Sequence, residues 1–157
     1  MSKYEHVIDP LVREALEQYK DKIDSNKSHQ LDLSGYRVEK PWGYEQWLVL
    51  NEFYAFKLIS MKAGCRSSLQ LHEKKVEANY IVSGEAEVLL ENEKGEMESH
   101  RYKAGQGWVV PLKTKHRVVA VTDYVAVEVS TAHLNDCIRF QDDANRPSGK
   151  IDDEHKK

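Results

Sequence analysis

The sequence predicts an all-β sandwich or barrel preceded by one α-helix. Three observations carry this. Short β-rich runs recur from Trp47 to Ser130, turn residues separate them, and one early stretch has apolar residues at helical spacing.

The helix comes first. Asp9 can accept from the free N–H groups of a first turn, and Pro10 suits the first helical position. Leu11, Val12, Ala15, Leu16 and Tyr19 then form one apolar stripe, with Arg13, Glu14, Glu17, Gln18 and Lys20 opposite. A lone amphipathic helix must cover that stripe by packing on its own domain or on a partner subunit. Asp21 to Gln30 is polar and reads as a linker, so residues 1–35 are helix and linker.

The strand-like runs are Trp47–Leu50, Phe53–Met61, Ala78–Val82, Ala86–Leu90, Met97–Tyr102, Trp108–Val110, Arg117–Val121 and Tyr124–Ser130. Asn51-Glu52, Ala63-Gly64, Ser83-Gly84, Lys94-Gly95, Ala104-Gly105 and Thr122-Asp123 divide them. Glu91 to Gly95 reads as a hairpin loop in which Gly95 supplies a positive φ. The barrel is expected over residues 36–146. Residues 147–157 are charged and carry Pro147 and Gly149, so they read as a flexible tail.

With 157 residues the chain suits one domain, large enough to fold without disulfides. A formal charge of −3 with mixed signs argues against nucleic-acid binding. Cys65 and Cys137 are in no CxxC spacing and read as packed thiols of a reducing compartment. The first residues show no apolar leader, and no apolar run approaches the ~20 residues that span a bilayer. The expectation is a cytoplasmic protein without membrane contact. A homodimer is expected, because open β-edges and a stray helix need cover.

The chemistry concentrates between Gly64 and His116. Gln70 and His72 are two apart, so in a strand both point the same way. Glu77 follows a charged turn and leads into the next strand, which can return its carboxylate beside the imidazole. His116 begins a strand after the turn Pro111-Leu112-Lys113-Thr114-Lys115. Two imidazoles, a carboxylate and an amide oxygen suit one divalent ion per chain: Zn²⁺ first, with Fe²⁺, Mn²⁺, Co²⁺ or Ni²⁺ as alternatives.

The spacing resembles the paired motifs of the cupin superfamily. The first runs Gly64, five residues, Gln70-x-His72, four residues, Glu77, six residues, Gly84; the second runs Gly105, five residues, Pro111-x-Lys113, two residues, His116. This implies a cupin double-stranded β-helix, or jelly-roll, barrel. A finer resemblance is to the type II mannose-6-phosphate isomerases. Lys40-Pro41-Trp42-Gly43-Tyr44-Glu45 is similar to that family's opening motif, Ser68-Leu69-Gln70-x-His72 to its metal strand, and Ile138-Arg139-Phe140-Gln141-Asp142-Asp143-x-x-Arg146 to its closing motif. Lys75 stands where the family has arginine, Lys113 where it has glycine, and Ala120 where it has asparagine.

The resemblance implies a metal-dependent aldose–ketose isomerase acting on a small sugar phosphate through an enediol. Glu128, Lys57 and Lys75 are the candidate catalytic groups. Glu128 and Lys57 sit in apolar strands, where each either faces solvent or lines the pocket, and Lys75 otherwise reads as a solvated loop lysine. A Glu128 inside the barrel would have a raised pKa, as a general base requires. Arg139, Arg66 and Lys113 are candidates to hold the phosphate. A non-catalytic sugar-binding sensor and an iron oxygenase are the alternatives on the same barrel.

Overall fold

The computed structural model describes residues 2–24 and 31–156. The helix α1 spans Pro10–Ile23. Twelve strands follow among the described residues: β1 Arg37–Lys40, β2 Gly43–Leu50, β3 Ala55–Met61, β4 Leu69–Leu71, β5 Glu77–Ser83, β6 Glu85–Glu91, β7 Met97–Lys103, β8 Gly107–Val110, β9 His116–Ala120, β10 Tyr124–Ser130, β11 Ile138–Gln141 and β12 Gly149–Lys150. They form two six-stranded antiparallel sheets, β1-β2-β3-β10-β5-β8 and β12-β11-β4-β9-β6-β7. Consecutive strands in the barrel often lie in different sheets, as a jelly roll requires.

The expected capping of α1 is present: the Asp9 side chain accepts from the N–H groups of Leu11 and Val12. The helix buries Val12, Ala15, Leu16, Tyr19 and Ile23 against Tyr36, Val38, Trp47, Leu50, Ala55 and Leu134. Its apolar stripe is therefore covered by its own domain. Of the expected linker, Asp21–Ile23 is the last turn of α1, and residues 25–30 lie outside the described residues.

A second apolar cluster fills the other end of the barrel, with Trp42, Ile59, Met61, Ile81, Val88, Trp108, Val110, Tyr124 and Ala126. The inward rows of four strands change character between the two clusters. On β3 the inward residues run Ala55, Lys57, Ile59, Met61, and on β10 they run Ser130, Glu128, Ala126, Tyr124. Lys57 and Glu128 are directly opposed across the β3–β10 pair, and Glu128 faces Asn79 across β10–β5. With Glu45 on β2 and Glu77 on β5, these side chains make a buried charged layer at one level of the barrel.

Residues 147–156 are not the flexible tail the composition suggests. Gly149–Lys150 pairs with β11, Ile151 and His155 are buried, and the Tyr36 hydroxyl donates to the His155 carbonyl. Composition averages over the segment, whereas the Ile151 N–H finds the Cys137 carbonyl and the His155 imidazole finds Glu45.

Candidate metal centre

His72, Glu77 and His116 converge, with potential ligand atoms all within 4.8 Å of one another. His72 Nε2 lies 3.5 Å from Glu77 Oε2, and His116 Nε2 lies 3.7 Å from Glu77 Oε1. The two imidazole centroids are 5.0 Å apart. His72 directly follows β4 and His116 opens β9, neighbours in one sheet, while Glu77 opens β5 in the other.

The outer nitrogens fix the inner ones. His72 Nδ1 faces the Asp136 carbonyl and His116 Nδ1 faces the Thr114 carbonyl at 2.9 Å. A carbonyl only accepts, so each Nδ1 carries the proton and each Nε2 presents a lone pair inward. Neither Nε2 has a hydrogen-bond partner although both are buried. Burial holds the His116 imidazole down at about 4, keeping it neutral near neutral pH. Burial works against the charged Glu77 carboxylate, but Lys75 and the two histidines outweigh it and hold the group well below the usual range. Two imidazoles with orphaned inward nitrogens beside an ionised carboxylate fit a divalent cation.

Asp136, which the sequence reading missed, builds the turn that carries His72 and Lys75. Its carboxylate accepts from the backbone N–H groups of Glu73, Lys74 and Lys75 at 3.1, 2.6 and 2.7 Å. No local pattern betrays this contact, because Asp136 lies 61 to 63 positions away.

Gln70 lines the same cavity and stands opposite His116 in the β4–β9 pair. Its amide oxygen accepts from the Ser68 hydroxyl at 2.9 Å and from the Cys137 thiol at 3.4 Å. The amide is at the site, but its oxygen is already engaged.

The three candidate catalytic groups are all inside. Lys75 Nζ is 2.8 Å from Glu77 Oε2 and 3.6 Å from Glu128 Oε1. The solvated-loop alternative for Lys75 is overturned, since the Asp136-capped turn aims the side chain inward. Lys57 Nζ is 3.5 Å from Glu128 Oε1 and 3.0 Å from Glu45 Oε1. Glu128 Oε1 has both lysines near it but no hydrogen-bond partner. Burial, reinforced by Glu77, raises the Glu128 carboxyl pKa against the pull of the lysines. Glu45 continues the line, its Oε2 lying 2.9 Å from His155 Nδ1. In the sequence Glu45 stands only as part of the opening motif, and its alternation with Trp47 on β2 is the signal available for an inward position. His155 offered none, being one histidine in a charged run.

The expected phosphate-binding residues are not brought to this cavity. Arg66 is exposed and paired with Asp143. Lys113 is exposed on the β8–β9 turn with φ 55°, a left-handed position, and its N–H donates to the His72 carbonyl. Arg139 is buried, but its guanidinium is directed to Glu154 and to the Pro147 carbonyl. Arg139 is a closing-motif residue, and the acidic partners that hold it and Arg66, Glu154 and Asp143, come from other segments.

Residues 24–142 match the family model described as mannose-6-phosphate isomerase C-terminal. The chain belongs to this family. Xanthan biosynthesis protein XanB of Xanthomonas campestris pv. campestris is a relative, 27% identical over 141 residues, covering 85% of this chain and 29% of that protein. The chain thus spans less than a third of that relative's length. Among solved structures, a mutant of Bacillus subtilis oxalate decarboxylase OxdC superposes with a TM-score of 0.63 at 20% identity, over 71% of this chain and 32% of that one. KdgF from Halomonas sp. gives 0.53 at 21% identity, over 68% of this chain and 91% of that one. These likenesses establish the cupin fold for this member of the family. No helix among the described residues is long and apolar enough to cross a membrane.

Proposed function

We propose that the protein is a metal-dependent aldose–ketose isomerase acting on a small sugar phosphate. The observation that carries the reading is the buried Glu128 beside Lys75 and Lys57, next to two histidines with orphaned inward nitrogens. Membership of the mannose-6-phosphate isomerase C-terminal family supports it. His72, His116 and Glu77 would hold the ion, with Gln70 beside them. When bound, a divalent ion there supplies Lewis-acid polarisation of a carbonyl and charge stabilisation on oxygen. Zn²⁺ remains the first candidate, and the Mn(II) centres named for Bacillus subtilis OxdC make Mn²⁺ the next to test.

The protein's own groups divide the remaining work. Glu128, with its raised pKa and an oxygen free to accept, takes the proton from the carbon beside the carbonyl and returns it to the neighbouring carbon. Lys75 and Lys57 hold Glu128 in place and offset negative charge as the enediol forms. Tyr124, Ile59 and Met61 line the same cavity and limit water around that intermediate.

Mannose 6-phosphate incubated with metal-loaded protein should yield fructose 6-phosphate. Turnover that is absent for this and related sugar phosphates removes the reading. One observation favours a second reading: with the Gln70 oxygen engaged, the donors reduce to two imidazoles and one carboxylate, the set used by non-haem Fe²⁺ oxygenases. Oxygen uptake by the Fe²⁺-loaded protein would select it.

A homodimer would have an apolar sheet face to bury. The outward residues of β5, β8 and β10 include Ala78, Tyr80, Val82, Val109, Val127 and Val129, a sheet face without a charged side chain among them. Tyr80, Val82, Val109 and Val129 are exposed. A face of uniform apolar character is self-complementary, so a second copy related by a twofold axis is its natural cover.

A further inference from the structure

The cavity that holds the metal centre is only about 60 Å³, room for a few waters. Pockets that enclose drug-sized ligands run to about 300–1,000 Å³. A larger cleft of about 530 Å³ lies outside it, lined by Lys40, Arg139, Arg146 and Lys150 among others. Arg146 and Glu154 line both spaces, so they form the partition.

Three cations converge on the Glu154 carboxylate. Lys40 Nζ is 3.2 Å from Oε1, Arg146 Nη1 is 3.6 Å from Oε1, and Arg139 Nη2 donates to Oε2. Lys40 and Arg139 are themselves almost fully buried. Two guanidiniums and an ammonium around one carboxylate are also what a phosphate group needs, and phosphate offers them more oxygens and more charge. Elsewhere in the cleft the cations Lys150 and Lys156 alternate with Glu39, Asp152 and Asp153, whereas Lys40, Arg139 and Arg146 share one carboxylate. The segment bearing Glu154 is held by the two-residue β12, the Ile151 N–H on the Cys137 carbonyl, the Lys40 ammonium on the Glu154 carbonyl, the Tyr36–His155 hydrogen bond and the His155–Glu45 contact, the bonds that must release for it to move. Gly149, with φ 93°, stands at its start.

We propose that Glu154 is a displaceable gate: a phosphate group entering the outer cleft replaces its carboxylate on Lys40, Arg139 and Arg146. Residues 149–156 then lift, joining the cleft to the metal cavity. This deepens the sugar-phosphate reading and rests on it for the identity of the anion. Lids of this kind admit substrate and then exclude water.

Cys137 reports the opening without requiring metal or turnover. It is buried, it lines the inner cavity, and its carbonyl accepts from the Ile151 N–H. In a Cys65→Ser background it is the sole thiol. Inorganic phosphate should raise its labelling rate by about tenfold or more, saturably, whereas chloride at equal ionic strength should not. Glu154→Gln should label as fast without phosphate, at a rate insensitive to low urea. Labelling that ignores phosphate overturns the proposal. So does labelling of both proteins that climbs with urea as steeply as global unfolding does, since the segment is then a fixed wall. Sugar-phosphate turnover is measured separately, so a gate that responds to phosphate in a protein without isomerase activity would refute only the reaction.

Discussion

His155 Nδ1 lies 2.9 Å from Glu45 Oε2, joining positions 110 residues apart and tying the last described segment to the charged layer of the barrel. Trp47 packs edge-on to the same imidazole at 4.9 Å. The pair closes a buried line of alternating charge that runs from the metal centre through Glu77, Lys75, Glu128, Lys57 and Glu45.

This pair sets a pH dependence of stability. Burial lowers the His155 imidazole to about 4, from an ordinary value of 6.5. Between those values the unfolded chain binds a proton that the folded chain refuses, so stability is full above about pH 6.5 and falls as the pH drops towards 4. The loss approaches ~3 kcal/mol for this group alone. Glu45, held low by Lys40, Lys57 and His155 against burial, adds a loss of the same sign once the pH falls below its unfolded value. Urea midpoints at pH 7 and pH 5 should differ less for His155→Gln than for the parent; equal differences would show that His155 is not the group responsible.

Metal binding should be stoichiometric, with one divalent ion per chain. His72→Ala and His116→Ala should each weaken it more than about 100-fold, because each removes one of the inward-facing nitrogens. Gln70→Leu should weaken it by less than about tenfold, since the amide oxygen already has two partners. Titration calorimetry of the metal-free protein distinguishes these, and a Gln70 variant as impaired as the histidine variants would restore it as a full ligand.

Glu128→Gln should lower kcat for sugar-phosphate isomerisation by about 10²–10⁴-fold while metal content stays constant. Lys57→Met is expected to act through Glu128, by removing an ammonium 3.5 Å from its carboxylate. It should shift the acidic limb of the kcat–pH profile upward rather than abolish turnover. An unshifted profile would leave Lys57 a structural charge.

Lys113→Gly tests a backbone position. A non-glycine residue at φ 55° costs roughly 1–2 kcal/mol, and glycine gives back about 0.5–1 kcal/mol of that through the freedom it has when unfolded. The variant should be neutral to about 1 kcal/mol more stable in urea. Because the Lys113 side chain is exposed on the β8–β9 turn, the Michaelis constant should not change; a marked rise would return Lys113 to the phosphate site.

Tyr80→Lys with Val109→Lys should give a monomer in sedimentation without loss of folded structure, since both side chains are exposed on the apolar face of β5 and β8. A parent protein that already sediments as a monomer would remove the homodimer.

The fold was legible in the sequence because it is written in short-range patterns. Period-two alternation and Gly-marked turns located the central strands to within a few residues, and Gly95 has the positive φ its loop required. Strand geometry puts Gln70 and His72 on one face, while the expectation that Glu77 and His116 join them rests on the resemblance to the paired cupin motifs. What only the tertiary structure decided are the partners of charges. Lys75 faces inward because Asp136 caps its turn, Arg139 is taken by Glu154, and His155 finds Glu45. Burial makes such pairings strong, yet they join residues whose separation along the chain carries no periodic trace.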